Sequence, residues 1–161
     1  MEITEVNMSG NEAKTLKNLI HECCDAEEFY QEAAETTDDA GMRRLYSEMK
    51  DVHSPIIADL SGQVKNLGEK PDIETTLLGD ITSSFGALKA ALSTHTDVSL
   101  VKSLEEVELK LLQDFYSLYK NDDAVSDETR NILKYHIGML KEAYAKMKEA
   151  RQVIVSSVAA A

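Results

Sequence analysis

Residues 16–34 read LKNLIHECCDAEEFYQEAA, and their spacing decides the fold. Leu16, Ile20, Cys23, Glu27, Tyr30 and Ala34 recur at alternating intervals of four and three. That is the seam of a packed helix, because positions i, i+3 and i+4 share one face of a 3.6-residue turn. A half-buried strand would need alternation at every second residue, and the stretch has none. Downstream, Thr36-Thr37-Asp38-Asp39 closes the segment and offers side-chain oxygens that can cap a following helix. Upstream, Ser9 with Glu12 three residues later reads as a capping box, leaving residues 1–10 as a flexible tail.

The same periodicity returns along the chain. Met42, Leu45, Met49, Val52, Ile56, Leu60, Val64 and Leu67 mark a second helix, with Gly68 as its stop and Pro71 just beyond. Pro55 interrupts that pattern, yet the periodicity continues past it, which predicts a kink and not a break. Leu77, Ile81, Phe85, Leu88 and Leu92 predict a shorter helix capped by Asp72. Val101, Leu104, Glu108, Leu111, Phe115 and Leu118 predict a third long helix, ended by Asn121-Asp122-Asp123. The fourth opens at Ser126 and carries Ile132, His136, Met139, Ala143, Met147 and Ala150. Tight loops between helices one and two, and three and four, force antiparallel pairs. The expected fold is therefore all-α, a four-helix bundle of up-down-up-down order occupying residues 11–152. It carries an additional short helix in the connection between helices two and three, where ferritin-like bundles place their crossover. Residues 153–161 are read as a C-terminal tail or helix extension.

Composition narrows the function. The 161 residues fit one domain, and 43% hydrophobic with 29% charged residues can build a core. A formal charge of −12 repels phosphate backbones, and no basic patch offsets it, so nucleic acid is not an expected partner. No stretch approaches the roughly 20 apolar residues of a membrane span, and the acidic N-terminus has no signal-peptide pattern. Cys23 and Cys24 are adjacent, point about 100° apart on a helix, and have no other cysteine to pair with. A reducing, cytoplasmic setting is expected. The expected partner is another copy of the chain, in a homo-oligomer.

The informative residues are polar ones in apolar seams. Glu27 lies on the first seam, Glu105 and Glu108 on the third, His136 on the fourth, and His53 flanks the second. A buried carboxylate must be paired, protonated or metal-bound, since leaving it alone costs several kcal/mol. Carboxylates and histidines converging inside a bundle are how di-iron and di-manganese sites are built, with a Glu-x-x-His pair on each of two helices. Here Lys50 stands three residues before His53 and Leu133 three before His136, so that signature is incomplete. Two readings stay open for Glu27, Glu105, Glu108, His53 and His136. They are ligands for iron or manganese, or they are seam groups bonded to Tyr, Lys or Arg. No Gly-rich phosphate loop, nucleophile elbow, Cys-x-x-Cys or His-Glu-x-x-His motif is present, so no catalytic residue is assigned.

Several of these stretches also resemble a known family. The run from Cys23 to Ala34 resembles the first-helix motif of a bacterial ferritin-like family, domain-of-unknown-function family two-three-eight-three. Leu67-Gly68-Glu69-Lys70-Pro71 resembles its second-helix ending, Leu88-Lys89-Ala90-Ala91-Leu92 the end of its inserted helix, and Glu105-x-x-Glu108 its third-helix acidic pair. The resemblance runs over about residues 14–150. Ala26 stands where the family usually has glycine, and Tyr144 where a late histidine is common. The resemblance implies the ferritin-like fold and no established activity. The expected function is that of a non-enzymatic structural or interaction protein; the alternative is a metal-binding protein linked to oxidative stress.

Overall fold

The computed structural model describes residues 2–71 and 96–160, with side chains from residue 10 onward. These form four helices: α1 (Glu2–Thr36), α2 (Ala40–Asn66), α3 (Asp97–Lys120) and α4 (Asp127–Ala160). Among the described residues there is no strand. The short helix expected after Asp72 lies outside the described residues.

Long-range polar contacts fix the direction of each helix. At one end, beside the α1–α2 turn, Thr37 Oγ1 donates to Asp97 Oδ2 at 3.0 Å and the Tyr46 hydroxyl donates to Asp97 Oδ1 at 3.1 Å. So α3 starts where α1 finishes. At the other end Glu12 of α1 accepts from Ser126, and Gln63 Nε2 of α2 donates to Thr129 Oγ1 at 2.9 Å. The order is therefore up-down-down-up, which corrects the expected up-down-up-down order. The connection 67–96 makes this feasible, because an extended chain of that length outreaches the roughly 40 Å of α2 at 1.5 Å per residue. Each of α1 and α4 packs against both α2 and α3. All neighbours are thus antiparallel, and the parallel pair α2/α3 lies on a diagonal.

The seams meet in one core. Leu16, Ile20, Tyr46, Ile56, Leu60, Leu104, Phe115, Leu133, Leu140 and Met147 are all fully buried. Burying such a side chain stabilises by about 1.5–3 kcal/mol. The core thus draws on every helix, although Tyr46, Leu133 and Leu140 stand beside the positions that the spacing selected.

Helix ends follow local chemistry in some places and distant chemistry in others. Asp39 caps α2, its Oδ1 accepting the Met42 N–H at 2.9 Å. The helix then continues unbroken through Pro55. At its far end Glu69 N–H donates to Val64 and Gly68 N–H to Lys65, a Schellman closure with Gly68 at φ 84°. Alanine there would hold a left-handed conformation, so Gly68→Ala is expected to cost about 1 kcal/mol. Urea denaturation of the two proteins measures it. At the start of α1 the helix is already formed at Glu2, so the backbone of residues 2–10 is helical where a tail was expected. Glu12 does not close a box at that point but reaches the start of α4. At the other terminus α4 runs to Ala160, as a helix extension. No helix among the described residues is long and apolar enough to cross a membrane.

Candidate functional site

Three helices each bring one polar side chain to the bundle interior: Tyr30 from α1, His53 from α2 and Glu108 from α3. All three are 0% exposed. The Tyr30 hydroxyl donates to Glu108 Oε1 at 2.8 Å, and His53 Nε2 lies 3.1 Å from the same oxygen. The other ring nitrogen, Nδ1, is 2.9 Å from the Met49 carbonyl. A carbonyl only accepts, so Nδ1 carries a hydrogen. A proton must then also lie between Nε2 and Glu108, which makes the pair imidazolium with carboxylate, or imidazole with carboxylic acid. Burial works against the charged ring, but Glu108 beside it, helped by the Met49 carbonyl, outweighs burial and raises the His53 pKa above 6.5.

The contact is close but without a well-aligned hydrogen bond. Both His53 Nε2 and Glu108 Oε2 are buried and lack a hydrogen-bond partner among the described residues. Burial, and then the Glu108 charge, push the Tyr30 phenol well above its usual range, so Tyr30 stays a donor. The same two causes raise Cys23 well above the thiol range, and burial with Glu27 pushes Cys24 up to about 11. Neither sulfur has the thiolate character that nucleophilic or redox chemistry requires.

The remaining candidates lie elsewhere. Glu27 is half-buried on the outer side of α1 and accepts from Ser54 Oγ at 3.2 Å. Glu105 is ion-paired with Arg151 of α4. His136 Nε2 is 2.7 Å from Asp59 Oδ2 across α2 and α4. Of the five expected residues, His53 and Glu108 are brought together and the other three are engaged separately. Among the described residues no three His, Cys, Asp or Glu side chains gather as a metal-holding group. A di-metal centre needs several carboxylates and two histidines around one space. One imidazole and one carboxylate, with a tyrosine hydroxyl already bonded to that carboxylate, do not fit it.

With the helix order, the first-helix run and the Glu105/Glu108 placement established, a family profile described as Domain of unknown function (DUF2383) matches residues 11–121. The chain belongs to this family. The DUF2383 match covers most of α1 and all of α2 and α3 and stops at the α3 cap, short of the span to residue 150 over which the motifs were traced. No match was found among curated proteins or solved structures. Ala26 of the first-helix run is fully buried in the core.

This DUF2383 chain also holds polar groups that periodicity does not reveal. Asp59, Asp97 and Arg151 occupy ordinary surface positions in the pattern, and only the tertiary fold gives them partners. The Lys110–Asp114 pair did leave a signal, because i and i+4 are neighbours on a helix. Lys110 Nζ is 2.6 Å from Asp114 Oδ2 and 3.3 Å from Glu22 Oε1 of α1. Burial, and then the Asp114 carboxylate, push Glu22 up to about 7, with Lys110 opposing. A carboxyl raised on folding stabilises fully below its ordinary 4.5 and loses that contribution as pH rises through about 7. Asp114→Asn is expected to lower the Glu22 midpoint, read from its carboxyl carbon by NMR titration. An unmoved midpoint would contradict the assignment.

Proposed function

We propose that this DUF2383 chain is a non-enzymatic structural or interaction protein whose buried polar groups tie its helices together. One observation carries the reading: beyond the Glu108–His53 contact, the seam acids and histidines are used by different protein partners and do not converge on one space. Glu108 binds Tyr30 and His53, Glu105 binds Arg151, Glu27 binds Ser54, and His136 binds Asp59. The central cluster is fully enclosed, so none of its three groups touches a substrate from solution. The parallel diagonal pair α2/α3 and the long connection between them favour a ferritin-like assignment of the bundle. Two free thiols, Cys23 and Cys24, favour a cytoplasmic setting.

The second reading, a metal-binding protein using iron or manganese, is favoured by the unpartnered Glu108 Oε2 and His53 Nε2. Metal retention separates the two. Metal-free protein is equilibrated with Fe(II) or Mn(II) without oxygen, desalted and assayed for metal. Far less than one equivalent is expected to remain. A full equivalent retained by the wild type and lost in Glu108→Gln would establish the metal reading instead.

A further inference from the structure

We infer that the outward groove between α1 and α2 is a self-association surface, on which α2 of a second copy lies antiparallel to α2 of the first. The inference deepens the interaction reading and rests on it. The groove has a volume of about 770 Å³ and runs from Lys50 to Lys65 along α2. Ser54, Ala58 and Gly62 line it. Their i, i+4, i+8 spacing makes one row of small side chains about 12 Å long. A facing helix can approach such a row closely, since interaxial distance is set by side-chain size at the contact.

Two observations indicate that something outside the chain uses this row. A Cβ built on Gly62 would meet nothing within 4 Å. Glycine inside a helix costs about 1 kcal/mol relative to alanine, and no packing among the described residues requires it here. Independently, Ser61 lines the groove at 5% exposure, and its Oγ is buried without a hydrogen-bond partner among the described residues. A helix seated in the groove can offer it a partner once the Ser61 hydroxyl rotates toward the groove.

The charges select a second copy as the occupant. The α1 bank carries Glu27 and Glu28, and the α2 bank ends at Lys65. Neither Glu28 nor Lys65 has an ion-pair partner among the described residues. Antiparallel pairing centred on Ala58 sets Ser54 of one copy opposite Gly62 of the other. Glu27 is level with Ser54, to which it is hydrogen-bonded. Lys65, less than one turn beyond Gly62, therefore reaches the acidic bank of the second copy at Glu28. Two-fold symmetry makes that contact twice, as a self-complementary interface requires.

Sedimentation velocity of the full chain, from low micromolar to several hundred micromolar, tests this. The weight-average coefficient is expected to rise toward that of a dimer. Ala58→Arg and Gly62→Arg are each expected to keep the protein monomeric over that range with unchanged helicity, since both positions face outward. Glu28→Lys or Lys65→Glu alone should weaken the dimer about tenfold through two lost contacts, and the double exchange should restore it. A monomer at every concentration overturns the inference. So does a dimer indifferent to both arginine substitutions, or a double exchange no better than the singles. Metal retention tests the interaction reading separately, so the two failures are distinguishable.

Discussion

Replacing Glu108 with alanine is expected to lower the stability of the bundle by about 3–5 kcal/mol, the usual cost of stranding one member of a buried charge pair. The loss follows from where its partners sit. Tyr30 loses its acceptor, and His53 loses the group that holds its second proton, both at 0% exposure. Neither can reach water without opening the core. Urea denaturation with unchanged slope measures the effect. The same pair gives a pH signature. A histidine whose pKa is raised on folding stabilises fully below 6.5, and the contribution is lost as pH rises through the folded value. This part of the pH dependence is expected to disappear in Glu108→Ala. A loss below about 1 kcal/mol, as at an exposed acid, would show that the cluster ties nothing together.

Glu12→Ala is the second large effect, expected at about 2–4 kcal/mol from a weakened helix cap and lost buried hydrogen bonds to a charged acceptor. Glu12 Oε1 accepts from the Ser126 N–H at 3.1 Å, the Ser126 hydroxyl at 2.8 Å and the Thr129 hydroxyl. Thr129 is fully buried and also accepts from Gln63. One carboxylate of α1 therefore holds Ser126, whose own Oγ accepts the Thr129 N–H at the start of α4, and closes that end of the bundle, where the positive pole of the α4 dipole favours a negative charge. Glu12→Gln keeps the shape and loses the charge, so a smaller loss is expected. Hydrogen exchange of the first-turn amides of α4 should accelerate in both variants. Unchanged exchange would contradict this support of the cap.

The features legible in the sequence are those with local causes. The seams of α1 and α3 follow closely from spacing. In α2 and α4 the buried rows include Tyr46, His53, Leu133, Ile137 and Leu140, beside the expected Leu45, Val52, Ile132 and Met139, which are only half-buried. The Asp39 cap follows from an Asp before an apolar run, and the Gly68 stop from the left-handed conformation a helix end requires. Helix direction was not legible. Short turns fix each hairpin, but the sense of one hairpin against the other depends on Asp97 meeting Thr37 and Tyr46, contacts that leave no periodic trace. Glu12 misled for the same reason. Ser-x-x-Glu is a local cap signal, yet the carboxylate serves an amide far away in sequence. For the candidate site, seam position singled out Glu108, and His53 was read only as flanking its seam, yet both are fully buried. It did not tell which neighbour satisfied each one, because that depends on axial level across three helices.

The central claim is that the buried cluster exists for helix packing and not for a ligand. It is tested most directly by the thermal midpoint of wild type and Glu108→Gln, each with and without Fe(II) or Mn(II) in the absence of oxygen, because a ligand that binds the folded state raises its stability. The expected result is a wild-type midpoint that neither metal moves, with Glu108→Gln melting lower in metal-free buffer. A wild-type midpoint raised by either metal, the rise being absent in Glu108→Gln, would contradict the claim.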